Sequence, residues 1–224
     1  MKYDKTLLNP YIQGKDIDRN NFSDVIIAPN HMFSICQRFM GAGMSQNFGA
    51  IMILEHYNSI HDFQYVIEIG SEKGCLSTYL ANLAGMTERF FFETYEISKQ
   101  SHWYNREIEG AGHWFEKLEK ISPFISSHEA DIFSDDVLSH VEENMHDNNL
   151  KTLIFCDGGN KIKELEVYAP LLKPEDRIMV HDWNIEISEA SINHIIKDNN
   201  LVYDEPMCHS CGNLGTTMMV FRKS

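Results

Sequence analysis

The chain has 224 residues, of which 43% are hydrophobic and 11% aromatic, and its formal net charge is −14 at pH 7. This length suits one α/β domain with a short extension, and this apolar content is enough for a buried core, which excludes wholesale disorder. A surface this acidic repels phosphate backbones and anionic lipid headgroups, so we expect no nucleic acid and no membrane among the partners.

The N-terminus and the cysteines bear on where the protein works. The first residues lead into Asn9-Pro10 without the apolar run of a signal peptide, and no uncharged apolar run approaches the roughly 20 residues that span a bilayer. The chain has five cysteines, and an odd number indicates reduced thiols rather than a disulfide framework. We therefore expect a cytoplasmic protein.

The N-terminal part differs in pattern from the rest of the chain. It opens polar and irregular, and residues 31–57 then carry apolar side chains at helical spacing, with an interruption at residues 41–43. Ser45 suits the N-cap of a helix over 46–57. The pattern predicts that residues 1–60 form a helical or lid-like extension and not an independent domain.

From residue 61 to residue 224, short apolar runs alternate with amphipathic stretches. In chain order the predicted elements are a strand over 65–69, a helix over 76–84, a strand over 89–95, a helix over 103–120, a strand over 124–129, a helix over 135–145, a strand over 152–156, a helix over 161–171, a strand over 177–180, a helix over 186–197, and two strands over 201–205 and 216–222. Five strand–helix repeats imply a mostly parallel sheet with helices on both faces. The last two strands are too close for another helical crossover, so we expect an antiparallel C-terminal hairpin. The predicted fold is a Rossmann-like α/β domain with a seven-stranded sheet, whose ligands bind beyond the carboxyl ends of the strands.

The first predicted strand ends in a glycine-containing loop over 68–74. Glycine lets the backbone turn sharply and lets a ligand approach closely, and the following helix presents N–H groups at its positive end. Dinucleotide-binding loops read G-x-G-x-x-G around a pyrophosphate, whereas here Glu68 stands two residues before Gly70. Its carboxylate would repel a pyrophosphate and suits a ligand with a positive amino group and a sulfonium. We expect Glu68, Gly70, Ser71 and Gly74 to bind such a cofactor.

Carboxylates also follow the next two predicted strands. Glu96 ends the second strand, where a carboxylate can accept hydrogen bonds from both hydroxyls of a ribose. Asp131 follows the third strand and is placed to accept from an adenine amino group, with Ile132 or Phe133 flanking the ring. Each carboxylate alone is better explained as a solvated loop residue. Three of them at successive strand ends, counting Glu68, favour a cofactor pocket.

The segment VIEIGSEKG over 66–74, together with Glu96 and Asp131, resembles the first three motifs of class I S-adenosylmethionine (SAM)-dependent methyltransferases. The resemblance covers residues 60–224. It implies the sheet predicted above, with SAM bound across the ends of the first two strands.

Two further aspartates, Asp157 and Asp182, end the fourth and fifth predicted strands. Carboxylates that point into one crevice repel each other, and a divalent cation resolves the conflict; oxygen ligands favour Mg²⁺, Mn²⁺ or Ca²⁺. His181 or Asn184 can complete the ligand set, and a histidine shifts the preference toward Mn²⁺, Fe²⁺ or Zn²⁺. The alternative is that each aspartate caps the helix that follows it. A cation here would lower the pKa of a substrate hydroxyl, and Lys161 or His181 could take the proton.

Motifs in the second half of the chain resemble one particular group of class I methyltransferases. Asp157, the run ELEVYAPLL over 164–172 and the sequence VHD over 180–182 are similar to metal-dependent small-molecule O-methyltransferases, above all the group of cephalosporin hydroxylase and rhamnosyl or macrolide-sugar O-methyltransferases. By position, this resemblance implies that Asp157 and Asp182 are metal ligands, and that Asp157 also borders the cofactor. Lys161 departs from the catechol-type enzymes, which place the lysine three residues after the aspartate rather than four.

The predicted function is transfer of a methyl group from SAM to a hydroxyl of a small molecule, for which a sugar is one candidate, with help from a divalent cation, foremost Mg²⁺. The expected partners are this hydroxylated substrate and a second copy of the chain in a homo-oligomer. One alternative is a NAD-dependent Rossmann oxidoreductase, against which the missing third glycine and the terminal hairpin count. Another is a SAM-fold protein with non-methylating chemistry, since fold alone does not determine activity.

Overall fold

The computed structural model describes residues 37–39, 42–44, 54, 61–71, 74–98, 111–146, 149–208 and 217–224. The predicted helix over 46–57 lies outside these residues except for Leu54. The beginning of the predicted helix over 103–120 lies outside them as well, and the domain boundary at residue 60 stays a prediction.

The described strands form one small sheet and one large sheet. They are β1 (Gln37–Phe39), β2 (Ala42–Met44), β3 (Tyr65–Ile69), β4 (Phe91–Glu96), β5 (Ile125–Glu129), β6 (Thr152–Cys156), β7 (Arg177–Val180), β8 (Leu201–Tyr203) and β9 (Met219–Lys223). The large sheet has seven strands in the order β5-β4-β3-β6-β7-β9-β8. Strands β3 to β7 are parallel to one another, and β9 is antiparallel to both β7 and β8. This confirms the predicted mostly parallel sheet with an antiparallel C-terminal hairpin.

Residues 37–39 and 42–44 form strands and not part of the helix that the spacing over 31–57 predicted, whereas the extension over residues 1–60 as a whole stays a prediction. There β1 and β2 form an antiparallel pair, with Phe39 opposite Ala42. The physical reason lies in Gly41 and Gly43, because a glycine inside a helix costs roughly 1 kcal/mol relative to alanine.

Helices cover both faces of the large sheet. They are α1 (Cys75–Thr87), α2 (Ala111–Ile121), α3 (Asp135–His146), α4 (Lys161–Tyr168), which a 3-10 turn (Ala169–Leu171) continues, and α5 (Glu189–Asp198). On one face, Leu80 of α1 and Phe115 of α2 pack in an apolar cluster with Phe92. On the other face, helices α3, α4 and α5 contribute to a second apolar cluster that includes Ile67 and Ile154. Within the described part of the chain, no helix is long and apolar enough to cross a membrane.

Strand β8 is shorter than the predicted strand over 201–205. Asp204 leaves the strand, and its Oδ2 accepts a hydrogen bond from Arg177 Nε at 2.9 Å. The backbone N–H groups of Met207 and Cys208 then donate to the carbonyl of Asp204, so residues 205–208 take a helical conformation. The buried pair of Asp204 and Arg177 therefore ends the strand early.

Candidate active site

The strand order reverses between β3 and β6, and Gly70 follows β3 at this switch point. Gly70 has a φ of 86°, and its N–H donates to the carbonyl of Tyr95 at 3.0 Å. A Cβ at position 70 would lie 2.6 Å from Gly158 Cα and 2.7 Å from the carbonyl oxygen of Asp157. Glycine is required here, because the loops that follow β3 and β6 are in direct contact.

Gly74 is the N-cap of α1 and has a φ of 69°. Its N–H donates to the carbonyl of Ser71 at 2.6 Å, and its own carbonyl accepts from the N–H of Thr78 at 2.9 Å. Among the described residues, no side chain caps the N-terminus of α1. Such a helix end presents N–H groups to a carboxylate or another anion. Glu72 and Lys73, between Ser71 and Gly74, lie outside the described residues.

Glu68 is buried beneath this loop, with 1% of its surface exposed. Its Oε2 accepts hydrogen bonds from Ser77 Oγ of α1 and from Thr94 Oγ1 of β4, the latter at 2.6 Å. Burial raises the pKa of the Glu68 carboxyl to about 8, although the hydrogen bonds from Ser77 and Thr94 oppose the rise. Glu68 thus links β3, β4 and α1 from below the loop. A cation bound above it would favour its ionised form.

Glu96 lies where it was predicted, at the carboxyl end of β4 next to the end of β3. It is 6% exposed, and its Oε1 accepts from the backbone N–H of Ile97 at 2.9 Å. This hydrogen bond holds the carboxylate at the turn that leaves the strand. The position suits contact with a ligand that spans the ends of β3 and β4.

Asp131 and Ile132 follow β5 and form the turn before α3. The exposed Asp131 accepts from the N–H of Phe133 at 2.9 Å through Oδ1. The carbonyl of Ile132 accepts from the hydroxyl of Tyr168 at 2.7 Å, and the ring of Phe133 lies under Lys163 Nζ, 3.9 Å from the ring centroid. Each of these contacts holds the turn, so the structure gives Asp131 a local role whether or not it binds a ligand.

Asp157, His181 and Asp182 come together at the carboxyl ends of β6 and β7. His181 Nδ1 lies 2.9 Å from Asp157 Oδ1 and 3.4 Å from Asp182 Oδ1. One ligand atom from each of the three residues lies within 4.8 Å of the others. The N–H of Asp157 donates to the carbonyl of Ile69 at 2.9 Å, so the cluster borders the glycine loop.

Lys161 lies beside this cluster and is itself buried. Its Nζ lies 3.3 Å from Asp182 Oδ2 and donates to Glu186 Oε2 at 2.8 Å and to the carbonyl of Gly158 at 3.1 Å. The ammonium group therefore joins the loop after β6 to the turn after β7. Lys161 balances part of the negative charge that the two aspartates bring into the crevice.

The pKa values of these groups depend on each other. Burial raises the pKa of Asp157, although the hydrogen bond with His181 and the nearby charge of that residue oppose the rise. For His181, burial lowers the pKa, but the hydrogen bond with Asp157 and the charges of Asp157 and Asp182 outweigh it, so the pKa is raised. For Lys161, burial again acts downward, and the hydrogen bond with Glu186 and the neighbouring carboxylates produce a net rise in the pKa. Lys161 therefore keeps its proton more firmly than an ordinary lysine.

The donor set of this cluster fits a divalent cation. Two carboxylates and an imidazole within one 4.8 Å group are the ligands that Mg²⁺, Mn²⁺ or Fe²⁺ take. The helix-capping alternative does not hold, because the N-caps of α4 and α5 are Asn160 and Ser188.

The turn before Ser188 also explains why α5 begins at Glu189 and not at Glu186 as predicted. Asp182 and Asn184 take positive φ angles of 57° and 62° in this turn, which a helix does not allow. Asn184 is exposed, and its backbone N–H donates to the carbonyl of Ile187 in the same turn.

No family model matches the chain, and no curated protein sequence matches it. Solved structures do match. A CmcI structure with Mg and SAM is 11% identical over 100% of this chain and 97% of that chain, with a TM-score of 0.59. A CmcI structure with SAH is 12% identical over 93% of each chain, with a TM-score of 0.56. The chain therefore has the same fold as these structures. This confirms the fold that the sequence resemblance implied.

One buried carboxylate beside this site had no predicted role. Glu164 of α4 is fully buried, and its carboxylate accepts from the backbone N–H groups of Asn160 at 3.2 Å and Gly158 at 3.4 Å. Burial raises its pKa to about 7. A Cβ at position 158 would collide with Glu164 Oε1. The only signal in the sequence is a glutamate in the first turn of a helix, which more often caps the helix than fixes the loop before it.

Proposed function

We propose that this protein is a SAM-dependent O-methyltransferase that acts on a hydroxyl of a small molecule, with a divalent cation at Asp157 and Asp182. The observation that carries the proposal is the contact between two loops, since a Cβ on Gly70 would lie 2.6 Å from Gly158 Cα. A methyl donor on the first loop and a hydroxyl bound at the second would lie side by side, as in-line transfer requires. The whole-chain likeness to a CmcI structure with Mg and SAM supports the same assignment.

The cofactor side of the site is assigned to the loop after β3 and to the neighbouring strand ends. SAM supplies a methyl group on a positively charged sulfonium. The backbone of Gly70, Ser71 and Gly74 would form its cradle, and the N-terminus of α1 would receive its carboxylate. Glu96 at the end of β4 is assigned to the ribose hydroxyls, and the turn of Asp131 and Ile132 is assigned to the adenine.

The acceptor side is assigned to the cluster after β6 and β7. A divalent cation supplies a lowered pKa for a bound hydroxyl. Asp157 and Asp182 would hold such a cation through their carboxylates. Of the two candidates for the hydroxyl proton, Lys161 has a raised pKa, and a lysine base needs a lowered one. We therefore assign the proton to His181, which a hydrogen bond of 2.9 Å to Asp157 orients.

Calorimetry tests the cofactor. Purified protein is titrated with SAM and with NAD, each with and without MgCl₂. We expect binding of SAM and none of NAD, and we expect the Asp157→Asn and Asp182→Asn variants to retain SAM binding but to lose the effect of Mg²⁺. Binding of NAD without SAM would instead identify an oxidoreductase and refute the proposal.

A labelling experiment tests the reaction. Protein with methyl-labelled SAM is incubated with a metabolite extract, and label is sought in small molecules. We expect label to appear with the wild type and to fall strongly with His181→Gln, whereas His194→Gln, a change in an exposed histidine of α5, should leave it unchanged. SAM binding without any labelled product over a broad range of extracts would favour non-methylating chemistry on the same fold.

We further propose a cytoplasmic location and a homo-oligomer. Cys156 and Cys208 are free thiols in the structure, which supports a reducing compartment. Light scattering during size-exclusion chromatography of the full chain tests the oligomer, and a monomeric mass would refute it.

A further inference from the structure

A second group of metal-ligating side chains lies on the α3 face of the sheet, away from the cluster at Asp157. Glu93 comes from the middle of β4, His128 from β5 and His140 from α3. One ligand atom from each lies within 4.8 Å of the others. Strand β3 separates β4 from β6 in the sheet, so this group is about 10 Å or more from the end of β6.

The distances within this group are close to those of a bound transition metal ion. His140 Nε2 lies 3.2 Å from Glu93 Oε1, and His128 Nε2 lies 4.0 Å from Glu93 Oε2. A tetrahedral zinc ion, with bonds of about 2.0–2.2 Å, places its ligand atoms about 3.3 Å apart. The pair of Glu93 and His140 already has this spacing, whereas His128 Nε2 lies farther from Glu93 and would have to move closer to the ion.

Neighbouring side chains hold two of the three groups in place. The hydroxyls of Tyr65 and Tyr95 both donate to Glu93 Oε2, the second at 2.8 Å. Burial and the charge of Glu93 raise the pKa of both phenols, so they remain neutral donors. The ring of His128 stacks on Tyr95 with centroids 4.6 Å apart. Such hydrogen bonds and packing around the ligands orient a metal site and raise its affinity.

The group is also accessible. The side chain of His140 is 45% exposed and that of His128 is 34% exposed, whereas Glu93 is 12% exposed. His128 Nε2 itself is buried, so an ion would reach the group from the side of the exposed His140. Asn144 Nδ2 lies 3.1 Å from His140 Nε2 and would release it when the metal binds.

We propose that Glu93, His128 and His140 form a binding site for Zn²⁺ or a chemically similar transition metal ion, which fixes α3 to strands β4 and β5. Two imidazoles and one carboxylate prefer such ions to Mg²⁺, whereas the cluster at Asp157 has two carboxylates and one imidazole and so shows this preference less strongly. Three protein ligands leave the fourth position of a tetrahedral ion to water. The proposal does not depend on the proposed methyltransferase function.

The test is calorimetric titration of the untagged full chain with ZnCl₂ in excess MgCl₂, together with the melting temperature at each zinc concentration. We expect the wild type to bind Zn²⁺ and to melt at a higher temperature with it. His140→Gln and Glu93→Gln should weaken this binding by more than about 10-fold and remove the rise in melting temperature. His140 is exposed on α3, so His140→Gln is expected to fold even where a buried variant does not.

Two controls make the result specific. His194→Gln changes an exposed histidine that pairs with Glu166 at 3.5 Å, and it should bind Zn²⁺ as the wild type does. Asp182→Asn disables the other cluster and should also retain the zinc site. The proposal is overturned if the wild type binds no Zn²⁺, if His140→Gln binds it unchanged, or if Asp182→Asn abolishes it. The first two outcomes would leave the group a histidine–carboxylate contact without a metal.

Discussion

Replacing Glu68 with glutamine tests whether a protonated carboxyl lies beneath the glycine loop. The side chain is 1% exposed and accepts hydrogen bonds from Ser77 and Thr94. Glu68→Gln keeps the shape of the side chain and an acceptor oxygen for both donors, and it removes the titration. Any difference between the two proteins that varies with pH therefore reports the charge of Glu68.

The sign and size of the effect follow from the pKa. An ordinary glutamate has a pKa of 4.5, and burial raises that of Glu68 to about 8 in the folded protein. Between these pH values the folded chain holds a proton that the unfolded chain has released, so the stability of the wild type falls as pH rises and the fall ends above pH 8. A rise of about 3.5 pKa units corresponds to about 5 kcal/mol of unfolding free energy, of which about 3 kcal/mol is lost by pH 7. Glu68→Gln has no carboxyl to titrate at this position, so its unfolding free energy should not fall in this way.

Urea unfolding at pH 5, pH 7 and pH 9 measures how the unfolding free energy of each protein changes with pH. Relative to the wild type, Glu68→Gln should gain several kcal/mol of unfolding free energy between pH 5 and pH 9, in the direction of a more stable variant at high pH. Other titrating groups, such as Glu164, occur in both proteins and cancel in the difference. Glu142→Gln, the same change in an exposed glutamate of α3, is the matched control. A constant difference between Glu68→Gln and the wild type at all three pH values would refute the reasoning.

Three further substitutions and one control substitution test the loops around the site by urea unfolding. Gly70→Ala places a Cβ 2.6 Å from a backbone atom at a φ of 86° and should lose roughly 2–5 kcal/mol, whereas Gly159→Ala, whose Cβ would meet nothing within 4 Å, should lose less than about 1 kcal/mol. Equal losses would contradict the contact between the loops. Asn160→Ala removes the side chain that accepts from the N–H of Lys163 and should lose about 1 kcal/mol; no loss would mean that water caps α4 equally well. Lys161→Met should lose about 1–3 kcal/mol, because it leaves the carbonyl of Gly158 and the carboxylate of Asp182 without their donor, and an unchanged stability would contradict its bridging role.

The strands that were predicted best are those with both faces buried. The predicted bounds of β3, β6 and β7 agree with the structure. Every residue of these strands is buried, and a strand that is buried on both faces appears in the sequence as a nearly continuous apolar run. The start of α5 was predicted less well, at 186 instead of Glu189. Residues 182–188 form a turn with positive φ angles, and helical spacing alone does not reveal where such a turn ends.

The two candidate metal clusters show why some site residues are visible in a sequence and others are not. Asp157 and Asp182 end two neighbouring parallel strands, and the carboxyl ends of parallel strands meet at one edge, so their proximity follows from the predicted topology. Glu93 lies mid-strand, and alternation says only that it faces one side of the sheet. That it meets His140 depends on how α3 lies across β4 and β5, which the spacing of residues along the chain does not specify. Sites built at strand ends are therefore predictable from topology, whereas a site built on a sheet face requires the helix packing to be known first.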